Sequence, residues 1–193
     1  MDKQIALLLI QDGVVNGAVY ALLALATVLV FAVTRVLFIP QGEFVTYGAL
    51  SFAALQLGQT PGIVWLVGAL GVVVAVLECV AAARSRRLSR IPRVLGVYVV
   101  VPAALVALTV WLAPQKPPLL VQLALAVALV AVLGPMVYRI AFQPLVNASV
   151  LVLMIVAVAV HFTLQGLGLL FFGAEGYRAS PFVDFELPLG PLV

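Results

Sequence analysis

Long apolar runs, separated by short polar or Pro/Gly-rich breaks, set the pattern of this chain. Val14–Val33 is twenty residues without a charge, which matches the roughly 20 residues a helix needs to cross a bilayer core about 30 Å thick. Arg35–Glu43, with Pro40 and Gly42, is the first break. Phe44–Leu57 is apolar but only fourteen residues long. It reads as a short helix, a re-entrant piece, or the remainder of a broken helix begun near Leu37. Pro61–Ala83 is the next span, with Glu78 near its end. Val94–Ala113 and Leu119–Tyr138 are each about a membrane thickness and are joined by the turn Pro114-Gln-Lys-Pro-Pro118. Ser149–Gly173 is the last span. The tail Ala174–Val193 sets Glu175, Asp184 and Glu186 against Arg178.

Inside a bilayer every backbone donor must be paired internally, which leaves a helix bundle or a closed barrel. A barrel shows short segments with polar residues at every second position. Runs such as Val121–Val132 and Val150–Val160 lack that alternation. The predicted fold class is therefore all-α, a polytopic transmembrane helix bundle of five to six hydrophobic segments, with residues 1–193 as one domain. Composition agrees. The chain is 65% hydrophobic and 9% charged, with a mean hydropathy of +1.28, whereas a soluble domain carries about 25% charged residues. No cleavable leader is expected, because Asp2 and Asp12 flank the first apolar run before any small-residue cleavage pattern.

Orientation follows from basic residues in short loops. Arg84, Arg86, Arg87, Arg90 and Arg93 are half of the ten basic residues, so the stretch Arg84–Arg93 is expected on the cytoplasmic side. The 114–118 turn is then outside, Arg139–Asn147 inside and the acidic tail outside. The side of the N-terminus depends on whether Phe44–Leu57 crosses. In a chain this apolar the arginines read as a topology signal assisted by anionic membrane lipid, with a docking surface for a cytoplasmic partner as the other reading; no nucleic acid is expected.

Polar residues within the apolar runs are functional candidates by default. Asp12 reads as interfacial. Glu78, six residues from Arg84, reads as a snorkelling or paired acid. Glu43 sits with Gln41 and Gly42 beside Pro40, where the backbone is not a regular helix throughout. This segment is either a cavity-lining irregular piece or an ordinary cytoplasmic turn. In the first span Gly13, Gly17 and Ala21 recur every four residues, a stripe that permits close helix packing. Asn16 and Tyr20 flank it, and Asn16 is expected to hydrogen-bond across that interface, a pore-lining role being the alternative. His161 is read as a satisfied interhelical histidine in preference to a proton relay.

The single cysteine, Cys79, excludes an internal disulfide, and one histidine excludes a multi-histidine metal site. No paired carboxylates and no Gly-rich phosphate loop occur. Ser51, Ser149 and His161 show no setting that would activate a nucleophile. No enzyme activity, cofactor or metal is expected.

Two stretches go beyond generic hydrophobicity. Asp12-Gly-Val-Val-Asn-Gly-Ala-Val-Tyr-Ala-Leu-Leu-Ala-Leu25 resembles the opening helix of ABC-transporter permeases for branched-chain amino acids. Arg35-Val-Leu-Phe-Ile-Pro-Gln-Gly-Glu-Phe-Val-Thr-Tyr-Gly-Ala49 resembles the family's following segment, agreeing at Gly42-Glu43-Phe44 and Gly48-Ala49. Tyr138-Arg-Ile-Ala-Phe-Gln-Pro-Leu145 is similar to its Tyr-Arg-Pro-Leu segment, and Leu164-Gln-Gly-Leu-Gly-Leu-Leu-Phe-Phe-Gly173 to the helix after it. The matches stand in family order over about residues 4–190 and cover the N-terminal two thirds of such a permease. Phe38, Pro40 and Gln41 depart from the family's usual Asn, Ala and His. The part expected to follow normally includes helices that contact the ATPase.

The resemblance implies a multi-pass subunit of the plasma membrane (a bacterial inner membrane). It would pair with a second permease subunit, draw energy from cytoplasmic ABC ATPases and receive ligand from an extracytoplasmic substrate-binding protein. Substrates would be branched-chain amino acids or related small polar solutes, and Asn16, Tyr20, Gln41, Gly42 and Glu43 would lie near the translocation path. The alternative is a truncated, non-transporting interaction or assembly subunit.

Overall fold

The computed structural model describes residues 3–34, 38–84, 96–174 and 176–177. These residues form six helices and no strand. Helix α1 is Lys3–Thr34, α2 is Gln41–Gln56 and α3 is Ile63–Arg84. Helix α4 is Val101–Leu112, entered through a π-helical turn Gly96–Val100 and left through a 3₁₀ turn Ala113–Gln115. Helix α5 is Leu119–Val137, continued by a π-helical turn Tyr138–Phe142 and a 3₁₀ turn Gln143–Leu145. Helix α6 is Val150–Phe172. Five segments are long and apolar enough to cross a membrane: Ile5–Val33, Ile63–Ala81, Gly96–Gln115, Leu119–Leu145 and Val150–Phe172. The protein is a multi-pass α-helical membrane bundle.

The chain divides into two compact units, and α1 lies in a different one from the five helices after Ile39. Helix α1 starts at Lys3 rather than at Val14, so Asp12 lies within the helix and not at its edge. The Asn16 side-chain amide donates to both the backbone carbonyl and the carboxylate of Asp12, each at 3.0 Å. This i to i−4 pairing along its own helix replaces the expected bond across an interface. It satisfies two polar side chains without a second helix.

Within the five-helix unit, prolines and glycines set the helix ends. Pro135 lies inside α5 and cannot donate to the carbonyl four residues back; the helix changes to π geometry three residues later. Pro102 follows the other π-helical turn and leaves the Tyr98 carbonyl without its helical donor. Ser149 caps α6 in an extended conformation, its Oγ accepting from the Val152 N–H at 3.5 Å. Gln122 anchors the start of α5 by donating to the Pro117 carbonyl at 2.7 Å.

The main core joins four helices through Tyr47, Ile63, Val67, Leu129, Leu133 and Leu164. A second cluster, Phe52, Leu55, Ala113, Leu125 and Ala126, packs α2 against α5 and the end of α4. Large apolar side chains such as Trp65, Leu120 and Leu170 face outward, each at least two-thirds exposed. In water this surface would drive aggregation, and in lipid it costs nothing. Lipid tails are as apolar as leucine, so close packing rather than hydrophobic burial must hold these helices together.

The bundle has two distinct ends. At one, Gly58 lies beside Lys116 and Ala113, and Gly62 beside Phe171. At the other, Glu78, Tyr98 and Arg139 meet. Gly58 has φ +75, and a methyl there would come 2.9 Å from Lys116 Cε. Gly58→Ala is expected to lose about 1–2 kcal/mol through the left-handed backbone alone, read as a lower unfolding midpoint in a fixed detergent. An unchanged midpoint would show that this turn relaxes freely.

Candidate functional site

Pro40, with φ −64, starts α2 by lending its carbonyl to the N–H groups of Glu43 at 3.0 Å and Phe44 at 3.4 Å. Glu43 stands in the first turn, where a carboxylate interacts favourably with the helix dipole. Its Oε1 lies 3.3 Å from Nδ1 of His161 on α6, and both side chains are largely buried. The atoms are close but poorly aligned for a hydrogen bond, so the contact is chiefly electrostatic.

His161 fixes the depth of this pair. It lies eleven residues from Val150 and eleven from Phe172, the two ends of α6. At 1.5 Å rise per residue that is about 16 Å from either end, the middle of a membrane span. Glu43 in the first turn of α2 thus meets α6 at the middle of its length. From there α2 runs for sixteen residues, about 24 Å, to the end of the bundle where Gly58 meets Lys116. Phe44–Leu57 is thus most of α2, which is shorter than the five segments long and apolar enough to cross a membrane.

The same face of α2 makes a second polar contact one turn on. The Tyr47 hydroxyl donates to the Leu164 carbonyl at 2.7 Å, and its ring packs on Phe172 at 5.6 Å between centroids. Gly168 lies against the ring, where a methyl would make an ordinary van der Waals contact 3.6 Å from the hydroxyl. On another face, Phe44 approaches Gly134 and Gly48 approaches Val130, both on α5. The two flanking helices hold the α2 N-terminus in place, as non-spanning backbone at membrane depth requires.

Gln41 is half-buried and Gly42 exposed, two and one residues before Glu43. These three sequence-predicted residues and His161 come together at one place. Asn16 and Tyr20, and the Gly13, Gly17 and Ala21 stripe, lie on α1 and are described with that helix alone. Arg84 is the last residue of α3. Arg86, Arg87, Arg90 and Arg93 lie outside the described residues.

A second polar group occupies the other end of the bundle, away from Gly58 and Gly62. Glu78 on α3 forms an ion pair with Arg139 in the π-helical turn after α5, and the Arg139 guanidinium lies 5.9 Å from the centroid of the Tyr98 ring. Glu78 is paired, as one of its two readings has it, but with a residue sixty-one positions away rather than with a nearby arginine. Arg139 was not among the sequence candidates. The available signal was two opposite charges, each inside an apolar span and each near the C-terminal end of that span.

Among the described residues no group of three or more His, Cys, Asp or Glu side chains could hold a metal ion. The Glu43–His161 group offers a carboxylate and an imidazole at a helix start. It can exchange hydrogen bonds with a polar solute, and it presents no activated nucleophile. No family model, curated protein or solved structure matches the chain. The family resemblance accordingly rests on the sequence motifs themselves.

Proposed function

We propose that this chain is a permease subunit of an ABC importer for branched-chain amino acids or related small polar solutes such as urea or short amides. The observation that carries the reading is the Glu43–His161 pair, which joins the first turn of α2 to the middle of α6. Helices that begin or break at the midplane, with polar groups at the break, are how many transporters build a solute site. Ionisable residues in that position are costly and mark function by default. Glu43 also falls in the Gly42-Glu43-Phe44 segment, which agrees with the permease family.

In this reading the chain does no bond chemistry. It supplies one half of a path, completed by a second permease subunit, that opens alternately to each side. ATP binding to cytoplasmic ATPases and docking of an extracytoplasmic binding protein bias the two states. Glu43, Gln41 and His161 would meet the solute's polar groups at the constriction, replacing its lost hydration.

The test is ATP-dependent uptake by the reconstituted complex. Glu43→Gln is expected to lower uptake about tenfold or more, the equivalent of losing one charge-assisted contact. Gln41→Ala is expected to alter the preference among substrates more than the rate. Unchanged rate and selectivity in both variants, at equal protein content, would remove these residues from the path.

A further inference from the structure

The chain's two tryptophans, Trp65 and Trp111, stand at the same end of the five-helix unit. Trp65 is the third residue of α3 and Trp111 the last but one of α4, so each lies within about 3 Å of its helix end along the axis. Those ends meet where Gly58 lies beside Ala113 and Lys116. Packing does not account for either ring. Ile63, Val64, Leu66 and Val67 are all buried around Trp65, yet Trp65 itself is 67% exposed, and Trp111 is 66% exposed.

An indole is an apolar body with a single N–H donor. Among the described residues neither N–H finds a partner, and in the hydrocarbon core it would stay unpaired. Just beyond the rings the turns expose Gln59, Thr60, Gln115 and Lys116, so polar surface begins at this level. With the ring among acyl chains and the N–H among glycerol and phosphate oxygens, both halves of the side chain are satisfied. That is why Trp and Tyr gather at membrane–water interfaces.

A third aromatic stands at the matching level on the other side. Helix α5 starts at the tryptophan end with Leu119, which packs with Ala113, and Tyr138 follows its last residue. The nineteen residues of α5 put Tyr138 about 28 Å away along the axis, close to the roughly 30 Å of a hydrocarbon core. Tyr138 is 50% exposed.

We propose that Trp65 and Trp111 lie in the lipid headgroup and glycerol layer on one side of the bilayer, and Tyr138 in the layer on the other. This seating does not depend on the transport reading. It also sets a depth for the Glu43–His161 pair. Phe171 lies beside Gly62 at the tryptophan end, and ten residues of α6 lead from it to His161, about 15 Å. The pair then lies inside the hydrocarbon core, and Phe162, next to His161 and 63% exposed, faces acyl chains.

The native fluorescence of the full chain tests this directly. The protein is reconstituted into phosphatidylcholine vesicles that carry a nitroxide quencher either near the headgroup end of the acyl chain or near its terminal methyl. Wild type is expected to be quenched about twofold or more strongly by the shallow label. Trp65→Phe and Trp111→Phe are each expected to keep that preference, the remaining indole reporting its own level. In the variant lacking both tryptophans, Tyr138→Trp is expected to prefer the shallow label and Phe162→Trp the deep one. All four exchanges are aromatic for aromatic at exposed positions, and the two single tryptophan variants decide the first layer alone if the double variant does not fold. Stronger quenching of either native indole by the deep label would overturn the proposal. So would an indole that neither label quenches, because protein rather than lipid would then cover it, or a Phe162→Trp probe no deeper than the native pair.

Discussion

Glu78→Ala is expected to destabilise the bundle by about 3 kcal/mol, because it strands the Arg139 guanidinium in apolar surroundings. Arg139 and Glu78 side chains retain only 29% and 19% of their exposure, so solvent screens the pair weakly. Removing one partner from a buried pair costs about 3–5 kcal/mol, and the partial exposure places this case at the low end. Contact with the Tyr98 ring recovers a fraction of the lost partner, on the order of 1 kcal/mol. The double variant Glu78→Leu/Arg139→Met is expected to return to within about 1 kcal/mol of wild type, since two desolvated charges are then replaced by apolar groups. Unfolding midpoints in one detergent give all the values, and the difference between the double variant and the sum of the singles is the coupling. Singles and double equally destabilised would mean that packing of the side-chain stems, not charge, holds this end together.

Gly62→Ala is expected to cost about 3 kcal/mol or more for a different reason. A methyl on Gly62 would lie 2.7 Å from the Phe171 carbonyl carbon and closer still to its oxygen. The obstacle is backbone against backbone, so no rotamer change relieves it. Either the start of α3 or the end of α6 must move, and both contribute to the core through Ile63 and Phe172. Gly42→Ala is the control. A methyl there meets nothing within 4 Å, and alanine favours a helix over glycine by up to about 1 kcal/mol. Similar midpoints for the two variants would show that the α2–α3 turn and α6 do not approach as described.

The crossing segments were legible because charge-free length is a strong signal in lipid. Leu119–Tyr138 and Ser149–Gly173 correspond to α5 and α6 within a residue or two. The start of the first helix was missed, because Asp12 reads as an edge when its charge is counted alone, and its pairing with Asn16 lets the helix continue through it. Phe44–Leu57 reads as too short for a confident span and forms most of the sixteen-residue α2, but its place among the other helices could not be read. That place depends on Glu43 meeting His161, 118 residues later, and a helix period carries no information on which faces meet. Glu78 and Arg139 were hidden for the same reason. The π-helical turns had a local signal in Pro102 and Pro135, which mark where an α-helical hydrogen bond must be absent.

The most direct measurement of the central claim is purification of the tagged chain from its native membrane in mild detergent, with identification of what copurifies. The permease account predicts a second permease subunit and ABC ATPase subunits in fixed proportion to the chain. Recovery of the chain alone, or with unrelated membrane proteins, would contradict it and favour a non-transporting assembly subunit.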